Sequence, residues 1–132
     1  QERFMRERDA RRELHNVLQE LRGNIRVVCR VRPVGPEEAP CVSFPLPGML
    51  RLQPPGKEGI RKVAPREFEF DGVLCPQSTQ EEVYEQVAPL VRSAADGYNV
   101  CVFAYGQTGS GKTFTMEGPR EHPGVSLRAV EE

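Results

Sequence analysis

The sequence predicts an α/β fold in which strands and helices alternate, and three observations carry this prediction. A β-prone run at Glu67–Phe70 is followed by a helical pattern over residues 80–96. A second apolar, β-prone run, Val100–Ala104, comes after the helix and ends just before a glycine-rich loop. A passage from strand to helix to strand is what a sheet covered by helices requires.

The glycine-rich loop at Gly106–Thr113 fits the phosphate-binding pattern G-x-x-x-x-G-K-[ST], which predicts a P-loop nucleotide-hydrolase fold. Its glycines permit backbone conformations in which successive N–H groups point at phosphate oxygens. Lys112 can reach the β- and γ-phosphates, the Thr113 hydroxyl can ligate Mg²⁺, and a helix beginning near Gly111 adds its dipole. The candidate nucleotide-binding residues of the loop are Gly106, Gln107, Thr108, Gly109, Ser110, Gly111, Lys112 and Thr113.

The helix before the loop has a clear start and end in the sequence. Two overlapping capping boxes over residues 78–82 predict its start, and Gly97 predicts its end. Apolar residues at helical spacing predict one face that lies on the sheet. These residues are Val83, Val87, Leu90, Val91 and Ala94. Pro89 removes a backbone donor from the helix interior and predicts a kink.

Residues 1–22 form a different kind of segment, without proline or glycine and dominated by arginine and glutamate. One heptad frame places its a and d positions at Phe4, Glu7, Arg11, Leu14, Leu18 and Leu21. The end of a two-stranded coiled coil and a single solvated helix are both compatible with this pattern. Because an isolated helix of this length is marginal in water, a partner chain or docking on the core must stabilise it.

Residues 34–65 are rich in proline and glycine and predict a small β-lobe attached to the main sheet. Its short β-prone runs are Cys41–Phe44, Met49–Leu52 and Ile60–Val63. Turns are predicted at Pro47-Gly48 and Pro55-Gly56. A proline-rich motif that binds a partner protein is the alternative.

The composition restricts the function classes. A net charge of −1 with mixed signs gives no basic field for nucleic acid or a membrane surface. No apolar stretch approaches the ~18–20 residues of a membrane span. The four cysteines show no metal-ligand spacing, and Cys29 and Cys101 lie in apolar runs, which predicts buried free thiols in a cytosolic protein. His15 and His122 are isolated, which predicts solvated side chains.

Two segments carry a resemblance to a known family. Phe103–Gly118, which contains the loop, resembles the P-loop region of the kinesins, the microtubule-stepping ATPases. Asn24–Pro33 resembles the first strand of a kinesin motor domain. The resemblance runs from about Leu14 to Glu132, with a poor match over Gly35–Pro65, and implies a kinesin-motor-like fold, incomplete within these residues and preceded by a coiled-coil-like helix.

The resemblance also implies roles for individual residues, with ATP and Mg²⁺ as cofactors. The adenine side of the pocket would be lined by Arg30, Arg32 and Pro33. Phe114 would pack near the adenine ring. Lys112 would stabilise charge on the transferred phosphate, and Thr113 would hold Mg²⁺.

The order of segments implies a class within that family. Most kinesins place the motor before the coiled coil, whereas here the helical segment 1–22 precedes the predicted motor part, residues 24–132. The junction Leu21–Val27 resembles the neck–motor junction of C-terminal-motor kinesins, which move toward microtubule minus ends. The resemblance therefore implies a dimer through the N-terminal helix, microtubules as the partner and a place on the cytoplasmic cytoskeleton.

The family elements for hydrolysis and for contact with microtubules lie downstream of the P-loop, beyond Glu132. We therefore expect these residues alone to lack turnover and to expose unpaired strand edges. A truncated, catalytically inactive interaction protein that pairs with complete motors is the alternative, and a small P-loop kinase is disfavoured by Arg30–Pro33. Gly124–Arg128 departs from the family pattern, which leaves the start of a helix there open.

Overall fold

The computed structural model describes residues 2–35, 41–53 and 64–132. These residues form two compact units, Gln1–Ile25 with Gln80–Glu132, and Arg26–Thr79. The predicted run at Ile60–Val63 and the predicted turn at Pro55-Gly56 lie outside the described residues. The division of the chain into a neck helix and a motor part stays a prediction.

The first unit is helical. Its helices are α1 Glu2–Leu21, α2 Gln80–Ala95, α3 Lys112–Met116 and α4 Val125–Glu131. α2 packs against both α1 and α4, and the buried apolar side chains of the unit are Val83, Ala88 and Val125. α4 begins directly after Gly124, so a helix does start where the sequence departs from the family pattern.

α2 confirms the helix predicted before the loop. It runs from Gln80 to Ala95 with Pro89 inside it. Val83 on the predicted apolar face is buried, whereas Ala94 is exposed and its neighbour Ser93 is buried. The Ser93 hydroxyl donates a hydrogen bond of 3.2 Å to the Pro89 carbonyl, which satisfies this buried polar group.

Polar contacts join α2 to α4 around this core. Near the start of α2, Glu81 pairs with Arg128. Near the end of α2, Arg92 Nε lies 2.7 Å from a carboxylate oxygen of Glu132. Glu132 also accepts a hydrogen bond from the Tyr84 hydroxyl. Since one partner of each ion pair is exposed, each pair contributes at most about 1 kcal/mol.

The second unit consists of strands. They are β1 Val28–Arg30, β2 Val42–Ser43, β3 Met49–Leu52, β4 Arg66–Glu69 and β5 Gly72–Leu74. β1 and β5 pair in parallel, with Val28 opposite Gly72. β2, β3 and β4 form a three-stranded antiparallel sheet in which Leu50, opposite Phe68, is buried.

The predicted β-lobe is confirmed in its described part. β3 has the predicted bounds, and β2 is shorter than the predicted run Cys41–Phe44. The predicted turn at Pro47-Gly48 lies between β2 and β3, where the Met49 N–H donates a hydrogen bond of 3.0 Å to the Leu46 carbonyl. β5 gives no separate signal in the sequence, because three residues are too few to show a period.

The strand predicted at Val100–Ala104 is wrong. Residues 98–105 have no regular secondary structure, and Phe103 and Tyr105 are 78% and 96% exposed. A strand needs ladder hydrogen bonds to a neighbour, and no described strand pairs with this run. Cys101 is exposed, which contradicts the predicted buried thiol, whereas Cys29 is half-buried and burial raises the pKa of its thiol.

α1 confirms the predicted N-terminal helix and docks on α2 through polar side chains. Arg12 Nε lies 2.7 Å from Asp96 Oδ1, and His15 Nε2 lies 3.0 Å from the Pro89 carbonyl oxygen. Asn16 is buried, and its amide donates to the Arg12 carbonyl at 2.9 Å. The prediction of a solvated His15 is therefore wrong, because docking brings its ring against a carbonyl of α2.

The apolar residues of α1 are exposed. The exposed fractions are 72% for Phe4, 66% for Leu14, 55% for Leu18 and 79% for Leu21. The helix thus uses its polar side for the contact with α2 and leaves its predicted heptad face uncovered in the described structure.

Candidate nucleotide-binding site

The phosphate-binding pattern forms one turn-rich loop that leads into α3. The Ser110 N–H donates a hydrogen bond of 3.2 Å to the Gln107 carbonyl, and this bond closes a turn. Gly109 and Gly111 have φ angles of 78° and 97°, in the left-handed region that side chains disfavour. An added Cβ at either position would meet nothing within 4 Å, so glycine is needed here for backbone conformation and not for space.

The two ends of the loop approach each other closely. A Cβ added at Gly106 would lie 2.5 Å from Ser110 Oγ, closer than real contacts allow. Lys112 Nζ donates to the carbonyls of Gly106 and Gln107, at 2.7 and 2.9 Å. Because an ammonium has three donors, these contacts hold it against the loop and leave one N–H that can serve an anion.

α3 begins within the last two residues of the loop pattern and spans five residues, Lys112–Met116, with Gly111 at its N-cap. The sequence predicts a helix dipole that favours anions here. So short a helix aligns few peptide units, so its dipole is small. The capacity of the loop for anions therefore rests mainly on its N–H groups and on Lys112.

Thr113 and Phe114 lie in the first turn of α3, and both are exposed, Phe114 by 45%. The Thr113 carbonyl accepts hydrogen bonds from the N–H groups of Glu117 and Gly118, at 2.8 and 3.2 Å. The backbone of this turn is thus fixed while both side chains are accessible to a ligand.

The residues that the resemblance assigns to the adenine side belong to the second unit. Arg30 ends β1 and is half-buried, and burial lowers the pKa of its guanidinium. Arg32 and Pro33 follow the strand and are exposed. That these residues share a pocket with the loop stays a prediction.

Gln80 is a residue of this region that the sequence analysis does not identify. Its side chain is 5% exposed, and Nε2 donates to the carbonyls of Phe114 at 2.6 Å and His122 at 3.2 Å. These partners lie 34 and 42 residues away, so no local pattern indicates the contacts. The sequence holds one signal for the burial of Gln80. Gln80 lies three residues before Val83, and this helical spacing places both residues on the apolar face of α2.

Comparison with known proteins gives matches over most of the chain. Protein claret segregational of Drosophila melanogaster is 46% identical over 125 residues, covering 92% of this chain and 18% of that protein. Kinesin-like protein KIFC1 of Mus musculus is 53% identical over 137 residues, covering 86% and 20%. Kinesin-like protein KIN-14G of Arabidopsis thaliana is 50% identical over 127 residues, covering 90% and 13%. The chain thus spans a fifth or less of the length of these relatives.

A solved structure shares the fold of the chain: the C-terminal motor and motor homology domain of Kar3Vik1 fused to a synthetic heterodimeric coiled coil. The TM-score is 0.84 at 38% identity, and the match covers 98% of this chain and 35% of that chain. This likeness confirms the predicted α/β motor fold preceded by a helix. A family model described as microtubule binding matches residues 4–132. The chain therefore belongs to this family, that of the kinesin motor domains, and within it to the C-terminal-motor class.

Proposed function

We propose that the protein is the ATP-binding portion of a microtubule motor that couples ATP hydrolysis to movement. The geometry of the Gly106–Thr113 loop carries this proposal. Two glycines in left-handed conformations shape the backbone, and the Lys112 ammonium lies against it. Backbone N–H groups, an ammonium and a neighbouring hydroxyl form the donor set that fits the triphosphate of a nucleotide.

The metal in this proposal is Mg²⁺ held through Thr113. In the described part of the chain, no group of three or more His, Cys, Asp or Glu side chains could hold a metal ion. Mg²⁺ in phosphate sites keeps several waters and takes few protein ligands. A threonine hydroxyl together with phosphate oxygens therefore suits this loop better than a cage of carboxylates.

When bound, ATP supplies the phosphoryl group whose transfer to water releases the free energy for movement. The residues of this chain bind and orient it. Lys112 places a positive charge beside the phosphates, and Thr113 offers its hydroxyl to the metal. Phe114 presents an exposed ring that suits the adenine base. The adenine roles of Arg30, Arg32 and Pro33 stay predictions from the family resemblance.

We further propose that the motor is a dimer joined through α1 and directed toward microtubule minus ends. The exposed apolar side chains of α1 support the dimer, because such residues are stabilised when a partner helix covers them. The order of helix and motor part, and the similarity to the C-terminal-motor class, support the proposed direction of movement.

In the described residues, no helix has the length and apolar character to cross a membrane.

The Lys112→Ala variant of the complete protein tests the ATP site. We expect microtubule-stimulated ATP turnover to fall by at least about a hundredfold, since the charge that opposes the phosphates is lost. Arg120→Ala, which removes an exposed cation from the loop after α3, is the control and should retain turnover. Unchanged turnover in Lys112→Ala would refute the motor function. If the complete protein forms dimers but shows no saturable nucleotide binding, the alternative of an inactive interaction protein is supported.

A further inference from the structure

Gln80 occupies an unusual position for a polar side chain, because it is almost fully buried at the start of α2. Its amide nitrogen lies 2.6 Å from the Phe114 carbonyl oxygen and 3.2 Å from the His122 carbonyl oxygen. One side-chain amide thus joins three pieces of the chain: the beginning of α2, the short helix α3 and the loop before α4.

The segment after α3 is packed tightly around this amide. A Cβ added at Gly118 would lie 2.9 Å from Gln80 Nε2 and 2.8 Å from the Gly124 nitrogen. The Gly124 N–H in turn donates a hydrogen bond of 2.7 Å to the Glu117 carbonyl. Backbone on both sides of the Gln80 amide is therefore fixed at close range, so the side chain has little freedom to move.

Phe114 comes directly after Thr113, so the Gln80 contact reaches the phosphate-binding loop through one peptide unit. We propose that Gln80 is a positioning residue for this loop. By holding the Phe114 carbonyl, it fixes the first turn of α3 and with it the places of Lys112 and Thr113. This inference rests on the proposed nucleotide site and adds a residue outside the P-loop pattern.

Removal of the Gln80 amide leaves two carbonyls without their buried donor, and such groups are costly to leave unsatisfied. α3 has only five residues and cannot hold its own position through a long run of helical hydrogen bonds. A loop that must be ordered when the ligand binds has a lower affinity than one that is already in place.

Gln80→Met in the complete protein tests the inference, since methionine has a similar length and no donor. The measurements are the Kd of a fluorescent ATP analogue with Mg²⁺ and the melting temperature with and without that analogue. We expect ~10-fold weaker binding and a smaller rise in melting temperature on ligand addition. A purely structural role would lower both melting temperatures equally and leave the Kd unchanged, and that result overturns the inference.

Ser93→Ala is the matched control, because Ser93 lies in the same helix, is also 5% exposed and also donates to a carbonyl of the backbone. It should change the Kd by less than about twofold, since the Ser93 hydroxyl donates to the Pro89 carbonyl within its own helix. If Gln80→Met does not fold, Gln80→Asn retains the amide one methylene shorter and should weaken binding while the protein still melts cooperatively. Unchanged binding in that variant overturns the inference, whereas unmodified protein that fails to bind refutes the proposed function itself.

Discussion

Arg12 Nε lies 2.7 Å from Asp96 Oδ1, so a residue in the middle of α1 is paired with the residue that follows α2. His15 makes a second contact one helical turn further on, at 3.0 Å from the Pro89 carbonyl. Through these two polar contacts the N-terminal helix is fixed to the helix that precedes the phosphate-binding loop. Because α1 contacts α2 through polar side chains, the apolar residues of α1 remain exposed.

A double-mutant cycle on Arg12→Ala and Asp96→Ala measures the strength of this attachment. The Arg12 side chain is 41% exposed, so we expect a coupling free energy of about 0.2–1 kcal/mol in urea denaturation. The coupling should decrease as salt rises, because an exposed pair is screened. The cycle on Arg11→Ala and Asp96→Ala is the control and should be additive; equal coupling in both cycles would show that the ion pair contributes nothing specific.

Leu14→Asp combined with Leu18→Asp tests the proposed dimer. Two buried charges at facing positions of a coiled coil are strongly unfavourable, so sedimentation should shift from dimer toward monomer. Met5→Asp combined with Ala10→Asp adds the same charges at exposed positions that are neither a nor d in this frame, and should leave the proposed dimer intact. If the first pair of changes leaves sedimentation unaltered, α1 is not the dimer contact.

Features that depend on local spacing could be predicted from the sequence. α2 follows from the capping boxes and apolar spacing over residues 78–94, and β3 has the bounds of a β-prone run. The loop at Gly106–Thr113 is predicted because the phosphate-binding pattern requires glycines and a lysine at fixed intervals. In each case neighbours along the chain determine the structure.

Features that depend on distant partners could not be predicted. Val100–Ala104 has the composition of a strand, but a strand forms only where another strand offers hydrogen bonds. His15 has no notable neighbours in the sequence, and its carbonyl partner is 74 residues away. The contacts of Gln80 give no local signal for the same reason, since both of its acceptors lie in later segments.

Gly118→Ala should destabilise the protein by roughly 1–3 kcal/mol, as strained left-handed residues do. Gly118 has a φ of 65°, and an added Cβ would collide with the His122 carbonyl oxygen and lie 2.8 Å from the Gly124 nitrogen. Gly35→Ala is the control, because a Cβ there meets nothing within 4 Å. Urea denaturation compares the two free energies of unfolding, and equal values would contradict the close packing of this loop.

Tyr84 should titrate at unusually high pH. Burial of its hydroxyl and its hydrogen bond to Glu132 raise the pKa of Tyr84 from 10.0 to about 12. Because the folded protein favours the neutral phenol, this contribution to stability is complete below pH 10 and is lost as the pH rises from 10 to 12. Ultraviolet absorbance of phenolate should show a late-titrating tyrosine that Tyr84→Phe removes. A late phase that persists in the variant would mean that the Tyr84 hydroxyl does not make this hydrogen bond in solution.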